Sequence, residues 1–80
     1  MTEEKLFDTL EQAIEKDFPF EDLVNVVLQF KNEGGQQMTA QKIAESLRIH
    51  FANQERSEER VLVLLDMVTG WCQPSHKIWL

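Results

Sequence analysis

Two groups of residues have the chemical types and spacing that could support binding or catalysis. The first is a series of carboxylates near the start of the chain: Glu4, Asp8, Glu11, Glu15, Asp17, Glu21 and Asp22. The second is Cys72 and His76, which are separated by three residues near the other end. Carboxylates attract cations and basic proteins, whereas a thiol beside an imidazole is a potential nucleophile or metal-ligand pair.

Cys72 and His76 are not sufficient for either chemistry. A closed zinc site needs four ligands, and His50 is the one other histidine in the 80 residues. Nucleophilic catalysis also needs an oxyanion site, and the sequence has no glycine-rich turn or second polar cluster to form one. We therefore expect no metal, no cofactor and no enzymatic activity. A single cysteine excludes an internal disulfide and favours a reducing, cytoplasmic location.

The net charge of −6 comes entirely from the first part of the chain. Residues 1–22 contain eight acidic side chains against Lys5 and Lys16, whereas residues 23–80 contain six acidic and six basic side chains. Such asymmetry affects the choice of partner and the rate of association more than it affects the fold. No stretch has the roughly 18 to 20 apolar residues of a membrane span, and the acidic N-terminus does not resemble a signal peptide.

Four of the acids share one side of a predicted helix. At about 100° per residue, Glu4, Asp8, Glu11 and Glu15 fall within an arc of about 60°. Carboxylates at these spacings repel one another, so helix stability does not explain the arrangement. A calcium site is disfavoured because the acids lie on a helix and not in a ligand-wrapping loop. The series favours a surface for a basic partner, or a mimic of the phosphates of a nucleic acid.

The apolar spacing predicts four helices, at about residues 3–16, 19–33, 40–52 and 58–69. Thr2 and Thr39 are the expected N-caps of the first and third helices, and Gly34 and Gly70 are expected to end the second and fourth. We expect one all-α domain over residues 1–80, either a compact bundle or an orthogonal array. The fourth helix is apolar on nearly all sides, which predicts a central position. The tail, Trp71–Leu80, is expected to fold back because two tryptophans make it too apolar for a free end.

Nucleic-acid binding is a weaker alternative. Residues 38–47 resemble the first helix of a helix-turn-helix pair. The predicted gap to the next helix is longer than the usual three or four residues, and that helix opens with Glu58 and Glu59, which phosphates would repel. The basic residues are scattered, so no basic footprint is expected.

These features together favour a small protein-binding domain without catalytic activity. The most concrete hypothesis is an acidic inhibitor of a basic protein, of the immunity-protein or antitoxin type, which neutralises a toxin such as a nuclease. A small regulatory or assembly subunit is the second hypothesis, with Val63 or Met67 buried across a homodimer and the acids serving only solubility. A helix-turn-helix regulator is the third. No membrane partner is expected.

Overall fold

The computed structural model describes residues 1–70 and 77–79 of the chain. It contains four α-helices joined by short turns: α1 (Glu3–Glu15), α2 (Phe20–Asn32), α3 (Gln37–His50) and α4 (Glu55–Thr69). No strand occurs among the described residues. The prediction of a small all-α bundle is confirmed.

The first helix starts as predicted and ends at Glu15, one residue before the predicted end, in a turn formed by Asp17 and Phe18. The hydroxyl of Thr2 accepts a hydrogen bond of 3.1 Å from the backbone N–H of Lys5, as an N-cap does. After the helix, the N–H groups of Asp17 and Phe18 donate back to carbonyls of the last turn, which is the pattern of a Schellman motif. Asp17 has a φ of 55°, a left-handed conformation that Asp tolerates better than most residues.

The connection between α2 and α3 is shorter than the sequence suggested. Gly34 has a φ of 95° and follows α2 in a second Schellman motif, as its predicted role requires. The third helix then begins at Gln37, and Thr39 lies inside it instead of capping it. The difference arises because Gly34 and Gly35 already complete the turn, so that Gln36 becomes the residue before the helix.

The fourth helix also begins earlier than predicted, at Glu55. Glu55 and Arg56 lie on the exposed side of its first turn. Because both are polar, they fall outside the apolar pattern that predicts a helix from residue 58. Only residues 51–54 separate α3 from α4, so the prediction of a longer gap is wrong. The first of these residues, Phe51, is fully buried and anchors the turn to the core.

All four helices contribute to one hydrophobic core. Its fully or nearly fully buried members are Leu6, Leu10, Ala13, Ile14, Leu23, Val27, Phe30, Ala40, Ile43, Leu47, Phe51, Val61, Leu64, Val68 and Ile78. The central position predicted for α4 is shared with α1, because α1 and α4 each contact all three other helices. The α4 helix packs mainly on α3, whereas α1 packs on both α2 and α3. Val63 of α4 is 46% exposed, so α4 is not surrounded on every side.

The described part of the C-terminal tail folds back onto the helices, as predicted. Ile78 is buried in the core, and its carbonyl accepts a 2.7 Å hydrogen bond from the ammonium of Lys31. Trp79 is half-buried against the same core. Trp71, Cys72, His76 and Leu80 lie outside the described residues.

Candidate functional site

The acidic ridge runs along the outer side of α1, and we define it as Glu4, Asp8, Glu11 and Glu15. The opposite side of α1 buries four apolar side chains, so that packing of the core fixes the direction in which the ridge faces. Glu4, Asp8 and Glu15 are exposed, and Glu11 is half-buried. The fold therefore presents most of the ridge to solvent.

Five of the seven predicted binding residues form no ion pair within the described part of the chain. They are Glu4, Asp8, Glu15, Glu21 and Asp22, and all five are exposed. Glu4, Glu21 and Asp22 lie in the first turns of α1 and α2, where the helix dipole favours negative charge. Asp8 and Glu15 have no such explanation, and Glu15 is the last residue of α1, where negative charge is unfavourable.

Lys5 of α1 and Lys16, the residue that follows α1, lie beside the ridge. Lys5 and Lys16 line a groove of about 580 Å³ between α1 and α2. Asp8 and Asp22 also line this groove, so acidic and basic side chains face it together. Neither lysine forms an ion pair among the described residues.

Asp17 has a different role from the ridge. Its carboxylate accepts a hydrogen bond of 2.8 Å from Nη2 of Arg56 and one of 3.0 Å from Nη1 of Arg60. Arg60 also donates through Nη2 to the carbonyl of Phe18. These contacts attach the start of α4 to the turn between α1 and α2. Asp17 therefore has an internal structural function, and its negative charge is largely compensated.

Glu11 lies beside a histidine that the sequence did not connect with it. Nε2 of His50, the last residue of α3, is 3.3 Å from Oε2 of Glu11. The imidazole packs edge-on against Phe7 at a centroid distance of 6.0 Å and against Phe51 at 4.8 Å. One ligand atom each from Glu11, Glu15 and His50 lies within 4.8 Å of the other two.

The sequence does not indicate this cluster, because nothing in it connects His50 with the acids of α1. The positions of Glu11 and Glu15 on one face of α1 follow from the sequence. The approach of α3 does not, because it depends on which helices pack together. Neither sequence alone nor helix periodicity indicates that the end of α3 meets the end of α1.

Comparisons with protein-family models, with curated proteins and with solved structures find no match to this chain. No helix within the described residues has both the length and the apolar character that are needed to cross a membrane. The functional conclusion therefore depends on the geometry and charge of the surface described above.

Proposed function

We propose that this chain is a small cytoplasmic protein-binding domain without catalytic activity, which inhibits a basic protein through the acidic surface of α1 and the start of α2. An immunity protein or antitoxin that neutralises a cationic nuclease is the most concrete form of this proposal. The observation that carries it is the set of five exposed acids without an ion pair among the described residues.

Asp8 and Glu15 give this observation its weight. Both extend the series of like charges on α1, and each such pair at a spacing of three or four residues costs a few tenths of a kcal/mol. Neither occupies a position where the helix dipole compensates this cost. A solvated face needs no such arrangement, whereas a surface that attracts a cationic partner gains from it through faster association.

The proposed mechanism is competition. Lysine and arginine side chains that a nuclease uses to bind phosphates would pair with the ridge, and the compact helical domain would then cover the substrate-binding surface. Because the ridge is held by the packing of α1 against the core, it needs no rearrangement before binding. Screening by salt should weaken the association, since the charges are exposed.

The first experiment is capture of partners from a lysate of the cells that produce the protein. Three immobilised forms are compared: the wild type, the ridge variant Asp8→Lys/Glu15→Lys, and the control variant Glu59→Lys/Asp66→Lys. The control changes the net charge by the same amount at exposed acids of α4. EDTA is present throughout, so that metal ions have no influence.

The proposal predicts a basic protein that the wild type and the control retain and the ridge variant loses. Purified partner should also lose nuclease activity when the wild type is added, and keep it when the ridge variant is added. Equal retention by all three forms, or loss of retention with the control alone, would show that the ridge does not bind the partner.

A second candidate, a homodimeric regulatory or assembly subunit, has some support from exposed apolar side chains. Ile49 of α3 is 77% exposed and Val63 of α4 is 46% exposed. Met67, also considered for such an interface, is half-buried and packs against the core of its own chain. Sedimentation at several protein concentrations distinguishes the dimeric subunit from the inhibitor, since only the former requires a dimer. If a dimer forms through Val63, a Val63→Lys variant should abolish it without affecting the capture of a basic partner.

A further inference from the structure

One ligand atom each from Glu11, Glu15 and His50 lies within 4.8 Å of the other two, and one of the three spacings matches that of a metal site. Glu11 and Glu15 are four residues apart, so their side chains leave the same face of α1 about one turn apart. In a tetrahedral site with bonds of about 2.0–2.2 Å, neighbouring ligand atoms are about 3.3–3.6 Å apart. The distance between Nε2 of His50 and Oε2 of Glu11 is 3.3 Å. Charge-assisted hydrogen bonds are shorter, at about 2.7–2.9 Å.

Two aromatic side chains contact the imidazole of His50, whose side chain is 43% exposed. Phe7 and Phe51 contact the ring edge-on with interplanar angles of 76° and 86°. Phe51 is fully buried, so one of the two contacts comes from the rigid core. In this arrangement Nε2 faces Oε2 of Glu11 on α1.

The position of Glu15 is not explained by a simple ion pair between His50 and Glu11. An ion pair between His50 and Glu11 accounts for two of the three side chains. It does not account for a second carboxylate at the negative end of α1, close to the first. A divalent cation between the three groups would compensate both carboxylates and use the imidazole as its nitrogen ligand.

We infer that Glu11, Glu15 and His50 form a binding site for a divalent transition-metal ion, and that Zn²⁺ is the ion that fits it. Ca²⁺ and Mg²⁺ prefer sites made of oxygen ligands alone, whereas imidazole together with carboxylates suits Zn²⁺ and its neighbours in the first transition row. Three protein ligands leave at least one position for water. The bound ion would join the end of α1 to the end of α3. This inference does not depend on the proposed inhibitory function.

The test is calorimetric titration of the full chain with ZnCl₂, supported by the visible absorption of added CoCl₂. All forms carry Cys72→Ser and His76→Gln, because that thiol and imidazole are zinc ligands by their chemistry. We expect one ion per chain, and a loss of affinity of at least about tenfold in both His50→Gln and Glu15→Gln. Glu4→Gln, which removes a ridge charge outside the cluster, should leave the affinity unchanged. MgCl₂ at the same concentration should give no binding signal.

Several results would overturn the inference. One is the absence of binding of one ion per chain, and another is unchanged affinity in either His50→Gln or Glu15→Gln. A third is equal weakening by Glu4→Gln and Glu15→Gln, which would indicate only diffuse attraction to the ridge. Circular dichroism checks the helical content of each form. Because Glu15 is exposed and has no ion pair among the described residues, its variant keeps the test decisive if His50→Gln does not fold.

Discussion

Arg60 and Arg56 bind the same carboxylate but should differ greatly in their contribution to stability. The side chain of Arg60 is 15% exposed and that of Arg56 is 79% exposed, whereas Asp17 is 52% exposed. Arg60 also donates to the carbonyl of Phe18, and Arg56 has no such second contact among the described residues. Replacing each arginine with alanine therefore compares a largely buried and an exposed partner of one acid.

The expected magnitudes follow from these exposures. A hydrogen bond to a charged group contributes about 1.5–3 kcal/mol when it is well buried. Since water screens the half-exposed carboxylate of Asp17, we take about 1 kcal/mol for its pair with Arg60 and about 1 kcal/mol for the bond to Phe18. Arg60→Ala should therefore cost about 2 kcal/mol. Arg56→Ala should cost less than about 0.5 kcal/mol, as exposed ion pairs do.

Urea unfolding followed by circular dichroism measures the difference. With an m-value of about 1 kcal/mol per molar for a small domain, Arg60→Ala should lower the unfolding midpoint by about 2 M and Arg56→Ala by less than about 0.5 M. Double-mutant cycles with Asp17→Ala isolate each pair, because the strain of alanine at a φ of 55° is present in both single and double variants and cancels. Coupling should be about 1 kcal/mol for Arg60 and near zero for Arg56. Equal costs for the two arginines, or no coupling between Arg60 and Asp17, would refute this reasoning.

Three further predictions concern the ridge, a turn and the tail. The variant Asp8→Lys/Glu15→Lys should unfold at a urea concentration equal to or slightly above that of the wild type, because it removes like-charge repulsion within α1; a clear loss of stability would contradict this. Gly34→Ala should destabilise by about 1–2 kcal/mol, since alanine is strained at a φ of 95°; a thermal midpoint like that of the wild type would show that the turn adapts. Ile78→Ala should cost about 2–5 kcal/mol in chemical unfolding, because the side chain is buried in the core; an effect near zero would mean that the tail does not contribute.

The number and type of helices could be predicted because each has a clear apolar periodicity. The residues that end them, Gly34 and Gly70, were also identifiable, since glycine after a helix has a well-understood role. The starts of α3 and α4 were less predictable. Gln37 and Glu55 have no distinctive capping residue before them, and neither helix has a side-chain cap hydrogen bond.

The candidate site was predictable only in the part that lies within one helix. The ridge of α1 follows from residue spacing alone. The pairing of Asp17 with Arg60 joins residues 43 positions apart, and the approach of His50 to Glu11 joins two helices. Both depend on how helices pack, and the interchangeable apolar residues of their faces do not specify this.

The proposed function predicts that the neighbouring gene encodes the toxin, because a cell that makes a toxin must make its inhibitor at the same time. The most direct test therefore uses the protein encoded by that gene. Its affinity for the wild type, the ridge variant and the control variant is measured by calorimetry in EDTA. The affinity is measured at ionic strengths of about 0.01 M and about 0.15 M, because this increase shortens the electrostatic screening length from about 30 Å to about 8 Å. We predict a basic partner whose affinity falls with salt for the wild type and the control, and which the ridge variant does not bind. An affinity that is the same for all three forms and independent of salt would contradict the account.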